Sequence, residues 1–333
     1  TVVIDIDAII NGTELGEQQQ VVKIIDNDPV PTVVLLAAAP TINEGSGTTK
    51  TSITAALSKP SGQIITVTLG RAGSAGFNTD YTLPLTLVIP VGAPSAAITL
   101  AAKQDALFEI DEEVVISITD IVNGSNASQP QTVKIIDDDP KPTVTLSVDS
   151  PSISETEATA TVTATLNTVS GLPTTVTLKK TGTAIDTVDY NLPGTITIVT
   201  GELSNSISLT SVGDSIDEKD ETVDVEIISV TNGIRGDPFM KTVTLVDDDP
   251  TPTVVLSVNR TQIDENSGTT SATVTVTTSA ISGLDVTVTL ATSGTATSTL
   301  DYKFSSLTIL IPALVATVNS VTLTAVGDLL NEN

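Results

Sequence analysis

Along most of the chain Val, Ile and Leu alternate with Thr and Ser in short runs, as in Thr143-Val-Thr-Leu-Ser-Val148, Ala160-Thr-Val-Thr-Ala-Thr-Leu166 and Thr195-Ile-Thr-Ile198. A period of two turns every second side chain to the same face, so each run predicts a half-buried strand of an antiparallel sheet. Turn signals separate the runs: Ser170-Gly171, the segment around Gly201, Asn123-Gly124 and Asn232-Gly233.

The strands fall into a repeat. An Asp-rich block followed by Pro-x-Pro-Thr-Val begins at Asp26, Asp137 and Asp247, at spacings of 111 and 110 residues. Asp-Tyr recurs at Asp80, Asp189 and Asp301, and a glutamate follows each block at Glu44, Glu155 and Glu265. An Asp-x-x-x-Glu-x-x-Glu pattern occurs as Asp105, Glu109, Glu112 and as Asp214, Glu218, Glu221, and Asp328 and Glu332 begin a third copy. One period governs four independent landmarks. The reading is all-β: tandem seven-stranded antiparallel immunoglobulin-like β-sandwiches, since a period near 110 is too long for a solenoid unit and suits a self-sufficient sandwich. Complete repeats are expected at 30–139 and 140–249, with the last strands of another at 1–29 and the first part of a fourth at 250–333. Because the chain opens on Thr-Val-Val-Ile-Asp inside a repeat, its natural termini are expected to lie elsewhere.

Composition narrows the function. The 333 residues carry 40 Asp and Glu against 14 Lys and Arg, a net charge of −26, yet 39% are hydrophobic, which is not the profile of a disordered acidic tail. Such a charge repels nucleic acid and anionic membranes and calls for cations. Neither Cys nor His occurs, which removes disulfides, thiolate nucleophiles, the usual zinc sites and a Ser-His-Asp arrangement. No apolar run in this segment approaches a membrane span.

Parity along the sandwich locates the acidic motifs. If strand A runs from top to bottom, Glu155 falls in the bottom turn between strands A and B. Asp189 then lies at the bottom of strand C, Asp214, Glu218 and Glu221 below strand E, and Asp247, Asp248 and Asp249 below strand G. By the same count Glu44, Asp80, Asp105, Glu109, Glu112, Asp137, Asp138 and Asp139 gather in the preceding repeat. Asp26 and Asp28 belong to the first acidic block. Carboxylates converging on one pole must be protonated or neutralised. Calcium suits them best, taking six to eight oxygen ligands in forgiving geometry, with on the order of two to four ions per cluster. Magnesium would favour more water and softer metals would favour His or Cys.

In Ile153-Ser-Glu155, Gly182-Thr-Ala-x-x-x-x-Asp189-Tyr190, Asp214-x-x-x-Glu218-x-x-Glu221 and Val246-Asp-Asp-Asp-Pro250 the chain resembles the Calx-beta domain, first described in sodium/calcium exchangers and common in repetitive surface proteins. The resemblance covers nearly the whole chain. It implies a calcium-binding sandwich in which the matching acidic residues are ligands. Departures are Asn27 within the first acidic block, Ala72-Gly-Ser-Ala75 in place of Gly-Thr-Ala, and Asn331 where the second repeat has Asp217.

Tyr81, Tyr190 and Tyr302 read as core or corner anchors, with aromatics at only 2%. Sequons at Asn11, Asn123, Asn126 and Asn259 are assigned no function, because chance matches abound in a Ser/Thr-rich chain. Paired carboxylates could in principle serve a glycosidase, but the cluster recurs in every repeat without an aromatic sugar platform, so no enzyme activity is expected. Pro-x-Pro leaves a short, stiff linker between repeats. The expectation is a calcium-rigidified stalk or filament of a giant bacterial adhesin, extracellular and on the cell surface, like those that gliding bacteria move along their surface. Its partners are calcium ions and neighbouring repeats of the same chain, with the export machinery and adhesive target unspecified. The competing expectation is a set of regulatory calcium-sensor domains attached to a membrane transporter or receptor.

Overall fold

Pro40 and Pro151 stand at equivalent places in two successive sandwiches, and at each the first long strand breaks and crosses from one sheet to the other. The computed structural model describes residues 1–156, 158–266, 270–315 and 317–327, and every regular element among them is a β-strand. The chain divides into two compact units, Thr1–Asp139 and Pro140–Asn333.

The first unit opens with β1 (Val2–Ile4) and β2 (Gln20–Val22), an antiparallel pair. The sandwich of residues 30–139 follows, with β3 (Thr32–Ala37), β4 (Thr41–Asn43), β5 (Lys50–Leu57), β6 (Ile65–Gly73), β7 (Tyr81–Thr82), β8 (Thr86–Ile89), β9 (Ser95–Ala102), β10 (Glu112–Val122), β11 (Ser125–Asn126) and β12 (Gln131–Ile136). Its two sheets have the orders β4-β12-β10-β6-β8 and β11-β3-β5-β9-β7.

The second unit repeats this plan with β13 (Thr143–Val148), β14 (Ser152–Ser154), β15 (Thr159–Leu166), β16 (Thr174–Gly182), β17 (Tyr190–Asn191), β18 (Thr195–Ile198), β19 (Ser204–Ser211), β20 (Glu221–Thr231), β21 (Ile234–Arg235) and β22 (Met240–Val246). A further sandwich begins with β23 (Val254–Val258), β24 (Ser271–Thr278), β25 (Val286–Thr289), β26 (Tyr302–Phe304), β27 (Thr308–Ile311) and β28 (Val318–Ala325).

The seven expected strands are present in each complete repeat: A as two pieces (β3 and β4), then B (β5), C (β6), D (β8), E (β9), F (β10) and G (β12), with β7 and β11 as two-residue additions. The pairing is not wholly antiparallel. Each complete repeat has two short parallel pairs, β4 with β12 and β11 with β3, then β14 with β22 and β21 with β13. For β4 with β12 and β14 with β22 the cause is the proline break, since strand A resumes in the opposite sheet without reversing and meets strand G running the same way.

Packing follows the alternation. Val33, Leu35, Ile53, Ile65, Val67, Val114, Ile116 and Val133 are fully buried in the first sandwich, and Val144, Ala160, Val162, Val176, Val223, Val225 and Val243 are so in the second. Tyr81 and Tyr190, 2% and 1% exposed, are the largest buried side chains of the two cores, whereas Tyr302 is half-buried. Strand F carries a bulge at the same place in both repeats, where Thr119 and Ile228 have no cross-strand partner. It shifts the alternation by one, so that Ile118 and Ile121, or Ile227 and Val230, can all pack inward.

Candidate metal centre

The parallel β4–β12 ladder is what brings the first acidic residues together. Its register pairs Ile136 with Asn43, and the Glu44 amide then donates to Ile136 O at 3.0 Å, so Glu44 stands next to the start of the Asp137 block. Glu155 is placed the same way, its amide donating to Val246 O at 2.9 Å.

Asp80, Asp189 and Asp301 are positioned by their own loops. The Ile185 amide donates to Asp189 Oδ2 and the Thr297 amide to Asp301 Oδ2, both at 2.6 Å, and the Gly76 amide donates to Asp80 Oδ2. A positive φ two residues earlier, at Asn78, Thr187 and Thr299, turns each loop back onto its aspartate. The turn is thus kept although only the first of the three positions carries a residue that favours it.

Strand C ends at Gly73 and Gly182, with φ of +115° and +124°, where a Cβ would lie 2.0 Å from Glu113 O and 2.1 Å from Thr222 O. Gly73-Ser74-Ala75 therefore occupies the place of Gly182-Thr183-Ala184, and the departure expected there reduces to Ser for Thr. Both hydroxyls do the same work: Ser74 Oγ accepts from the Glu113 amide at 2.9 Å and Thr183 Oγ1 from the Thr222 amide at 2.8 Å.

Among the described residues the result is three groups of carboxylates, each offering oxygens within 4.8 Å of one another: Glu44, Asp137 and Asp139; Asp80, Glu109 and Glu112; Glu155, Asp214 and Asp249. Glu155, Asp189, Glu218, Glu221 and Asp247 line one small pocket in the second repeat, with Lys219 at its side. Main-chain donors order the loops, the Asp105 amide bonding Glu44 Oε1 at 3.2 Å, the Asp214 amide Glu155 Oε1 at 3.3 Å and the Glu218 amide Asp247 Oδ1 at 3.1 Å.

Other acidic residues lie apart from these groups. Asp138 and Asp248 turn to hydroxyls, Ser46 Oγ donating at 2.6 Å to Asp138 and Ser154 Oγ at 2.5 Å and Thr156 Oγ1 at 2.8 Å to Asp248. Asp26 and Asp28 are exposed, and Asp26 Oδ1 accepts from the Asp28 amide at 3.0 Å. Glu265 and Asp301 are half-buried at the corresponding pole of the last repeat. Asp328, Asn331 and Glu332 lie outside the described residues. Asp111 and Asp220, not singled out from the sequence, cap the aspartate blocks by accepting the Asp137 amide at 3.3 Å and the Asp247 amide at 3.2 Å. Their signal was available, because both acidic patterns read Asp-x-x-x-Glu-x-Asp-Glu.

Electrostatically the groups are overloaded. Burial, followed by the Asp105 charge, pushes Glu44 up to about 7. Burial, then the hydrogen bond and charge of Asp80, raises Glu112 to about 7, and burial with Asp189 does the same for Glu221. Burial also raises Glu109, Asp137, Glu155 and Glu218. The hydroxyls around Asp248 lower it instead. Two ionised carboxylates about 5 Å apart repel by about 3 kcal/mol at an effective dielectric near 20, a cost that a cation among the oxygens offsets. Asp137 Oδ1 is buried and has no hydrogen-bond partner. A donor set of hard oxygens alone, one of them orphaned, fits a calcium ion.

One comparison with known proteins identifies the family. The Calx-beta domain profile matches residues 137–249 and 247–332, together more than half of the chain. No curated protein matches. Among solved structures the chain is similar to the calcium binding domain CBD12 of CALX1.1, at 17% identity and a TM-score of 0.30, over 63% of this chain and 98% of that one. CBD12 from CALX1.2 gives 16% identity and 0.29, over 64% and 99%. A two-domain protein of unknown function from Bacteroides fragilis gives 12% and 0.27, over 66% and 93%. With its acidic motifs repeated in tandem and the profile matched across two successive sandwiches, the chain belongs to the Calx-beta domain family.

Proposed function

We propose that this chain is a calcium-binding structural segment of a large extracellular protein, a stalk or filament whose repeats are stiffened by cations bound at their acidic poles. The observation that carries it is that carboxylate oxygens crowd together at matching acidic motifs in both complete repeats, in threesomes that differ in membership, with an orphaned buried oxygen at Asp137. In the first complete repeat Glu44, Asp80, Glu109, Glu112, Asp137 and Asp139 would hold the ions, and in the second Glu155, Asp189, Asp214, Glu218, Glu221, Asp247 and Asp249. Bound calcium supplies charge neutralisation there and nothing else is asked of it. The adhesive role, the bacterial cell surface as its location and a link to gliding rest on the tandem organisation, the acidic surface and the absence of cysteine. One observation favours a regulatory sensor instead, namely that Glu218 sits against the following repeat, so that occupancy could be felt beyond its own sandwich.

Calorimetric calcium titration of the whole chain, with melting curves in calcium and in EDTA, tests the proposal. More than one ion per complete repeat and a large loss of melting temperature in EDTA are expected. No heat of binding with coincident melts would overturn it. Saturation at millimolar calcium points to the stalk and saturation near micromolar calcium to the sensor.

A further inference from the structure

Between the sandwich of residues 140–249 and the one that follows, the acidic loop before β20 receives a turn from its neighbour. The Gly283 amide donates to Asp217 O at 3.0 Å. Ser282 Oγ lies 3.2 Å from Asp217 Oδ2 and 3.4 Å from Asp217 O, and the two residues form an isolated parallel bridge. From the linker, Thr251 Oγ1 donates to Asp217 Oδ1 at 3.3 Å. Ser282 is only 6% exposed, and its turn is braced from within its own repeat, the Leu284 amide donating to Ser282 Oγ at 3.0 Å and the Leu314 amide to Ser282 O at 2.9 Å.

The next residue along the loop is Glu218, a member of the carboxylate pocket, and it packs directly on Gly283. A Cβ on Gly283 would lie 2.5 Å from Glu218 Oε1 and 2.6 Å from Glu218 Cγ. Gly283 has no positive φ that would demand glycine for backbone reasons. Its bare Cα is explained by the space that Glu218 occupies.

We propose that the Ser282-Gly283 turn is a working part of the preceding repeat's carboxylate centre: docked on Asp217, it holds the 214–221 loop in place and sets the position of Glu218, and with it the centre's cation affinity. The proposal rests on the calcium reading above and adds to it that a site in one repeat is completed by the next. Coupling of this kind is reciprocal, so whatever factor docking contributes to cation affinity, the cation returns to docking. Ser282 and Gly283 are positioning residues here and touch no ion.

The test uses the full chain and three variants, Gly283→Ala, Ser282→Ala and Asp217→Phe, each titrated with calcium by calorimetry. Because the chain has no cysteine, Ser206→Cys and Ser320→Cys, both exposed, can also carry spin labels reporting the distance between the two sandwiches. The expected result is a loss of at least about 5-fold in affinity at the centre of repeat 140–249 and none at that of repeat 30–139. In the original chain calcium should narrow the label-distance distribution, and in the variants it should not. Unchanged affinity in all three variants, with calcium bound as before, overturns the proposal alone. Absence of calcium binding in the original chain overturns the calcium reading and the proposal with it, and the titration of the unsubstituted protein distinguishes the two failures.

Discussion

The amide of Glu218 donates to the carboxylate of Asp247 at 3.1 Å, tying the loop that leads into β20 to the end of β22. Asp220 closes the loop from the other side by accepting the Asp247 amide at 3.2 Å. Replacing Asp247 by Asn keeps an oxygen acceptor for Glu218 but removes a charge from the pocket. The Asp247→Asn chain should melt no lower than the original in EDTA and gain less from calcium. The shortfall should be about 2–3 kcal/mol when calcium exceeds its Kd by ~100-fold. Paired melting curves decide it, and an undiminished calcium gain removes Asp247 from the binding set.

Asp220→Asn acts at one remove. A capped ligand is a better-placed ligand, so calcium affinity at the second repeat should fall by about 10-fold or more while stoichiometry holds. A titration showing one ion fewer would instead make Asp220 a ligand.

Asp248 makes the opposite case. Its carboxylate is occupied by Ser154 and Thr156, so Asp248→Ala should leave the number of ions bound unchanged, whereas Asp249→Ala should reduce it. Equal losses from both would show that the hydroxyl contacts give way when calcium arrives.

Proton linkage gives a prediction for the cation-free protein. Glu44, Glu112 and Glu221 rise from the ordinary 4.5 to about 7 in the folded chain. Between pH 4.5 and 7 the folded state therefore holds protons that the unfolded state has released, and stability falls as pH rises through that window. In EDTA the melting temperature should be higher at pH 5 than at pH 8. In saturating calcium the order should weaken or reverse, because the ion must displace those protons. A melt in EDTA that rises with pH over this interval would contradict the crowding described.

Gly182 and Gly194 lie in the same repeat and differ in their surroundings. A Cβ at Gly182 meets Thr222 O at 2.1 Å with φ at +124°, while nothing lies within 4 Å of one at Gly194. Gly182→Ala should lower the stability of that sandwich by more than about 1 kcal/mol and Gly194→Ala should change it little. Denaturant midpoints of the two variants measure the contrast.

Much of this was legible in the sequence because it depends on spacing. The alternation in Thr143–Val148 and Thr159–Leu166 fixes which residues face the core, and the period near 110 fixes the repeats. The β1–β2 pair even keeps the register of a complete repeat, Val2 opposite Val22 as Val114 is opposite Val133. Parity placed the acidic motifs at one pole, yet parity follows strand ends and not side chains. It could not separate Asp248, which two hydroxyls draw aside, from Asp247 and Asp249. Nor could it foresee the parallel pairing of β14 with β22, which depends on how strand A resumes after Pro151. The docking of Ser282 on Asp217 joins residues 65 apart in sequence, and no local pattern marks it.

That parallel pairing bears on how a repeat carries load. Strand β14 lies near the start of its sandwich and β22 at its end, with Ser152, Ile153 and Ser154 beside Thr244, Leu245 and Val246. Tension between residues 140 and 249 draws these two strands in opposite directions along their length. Their hydrogen bonds then bear the pull together, as a lap joint does, and cannot be opened one after another like a zip. A break in strand A that looks like a concession to proline gives the sandwich a resistance to stretching at the two places where a neighbour would pull.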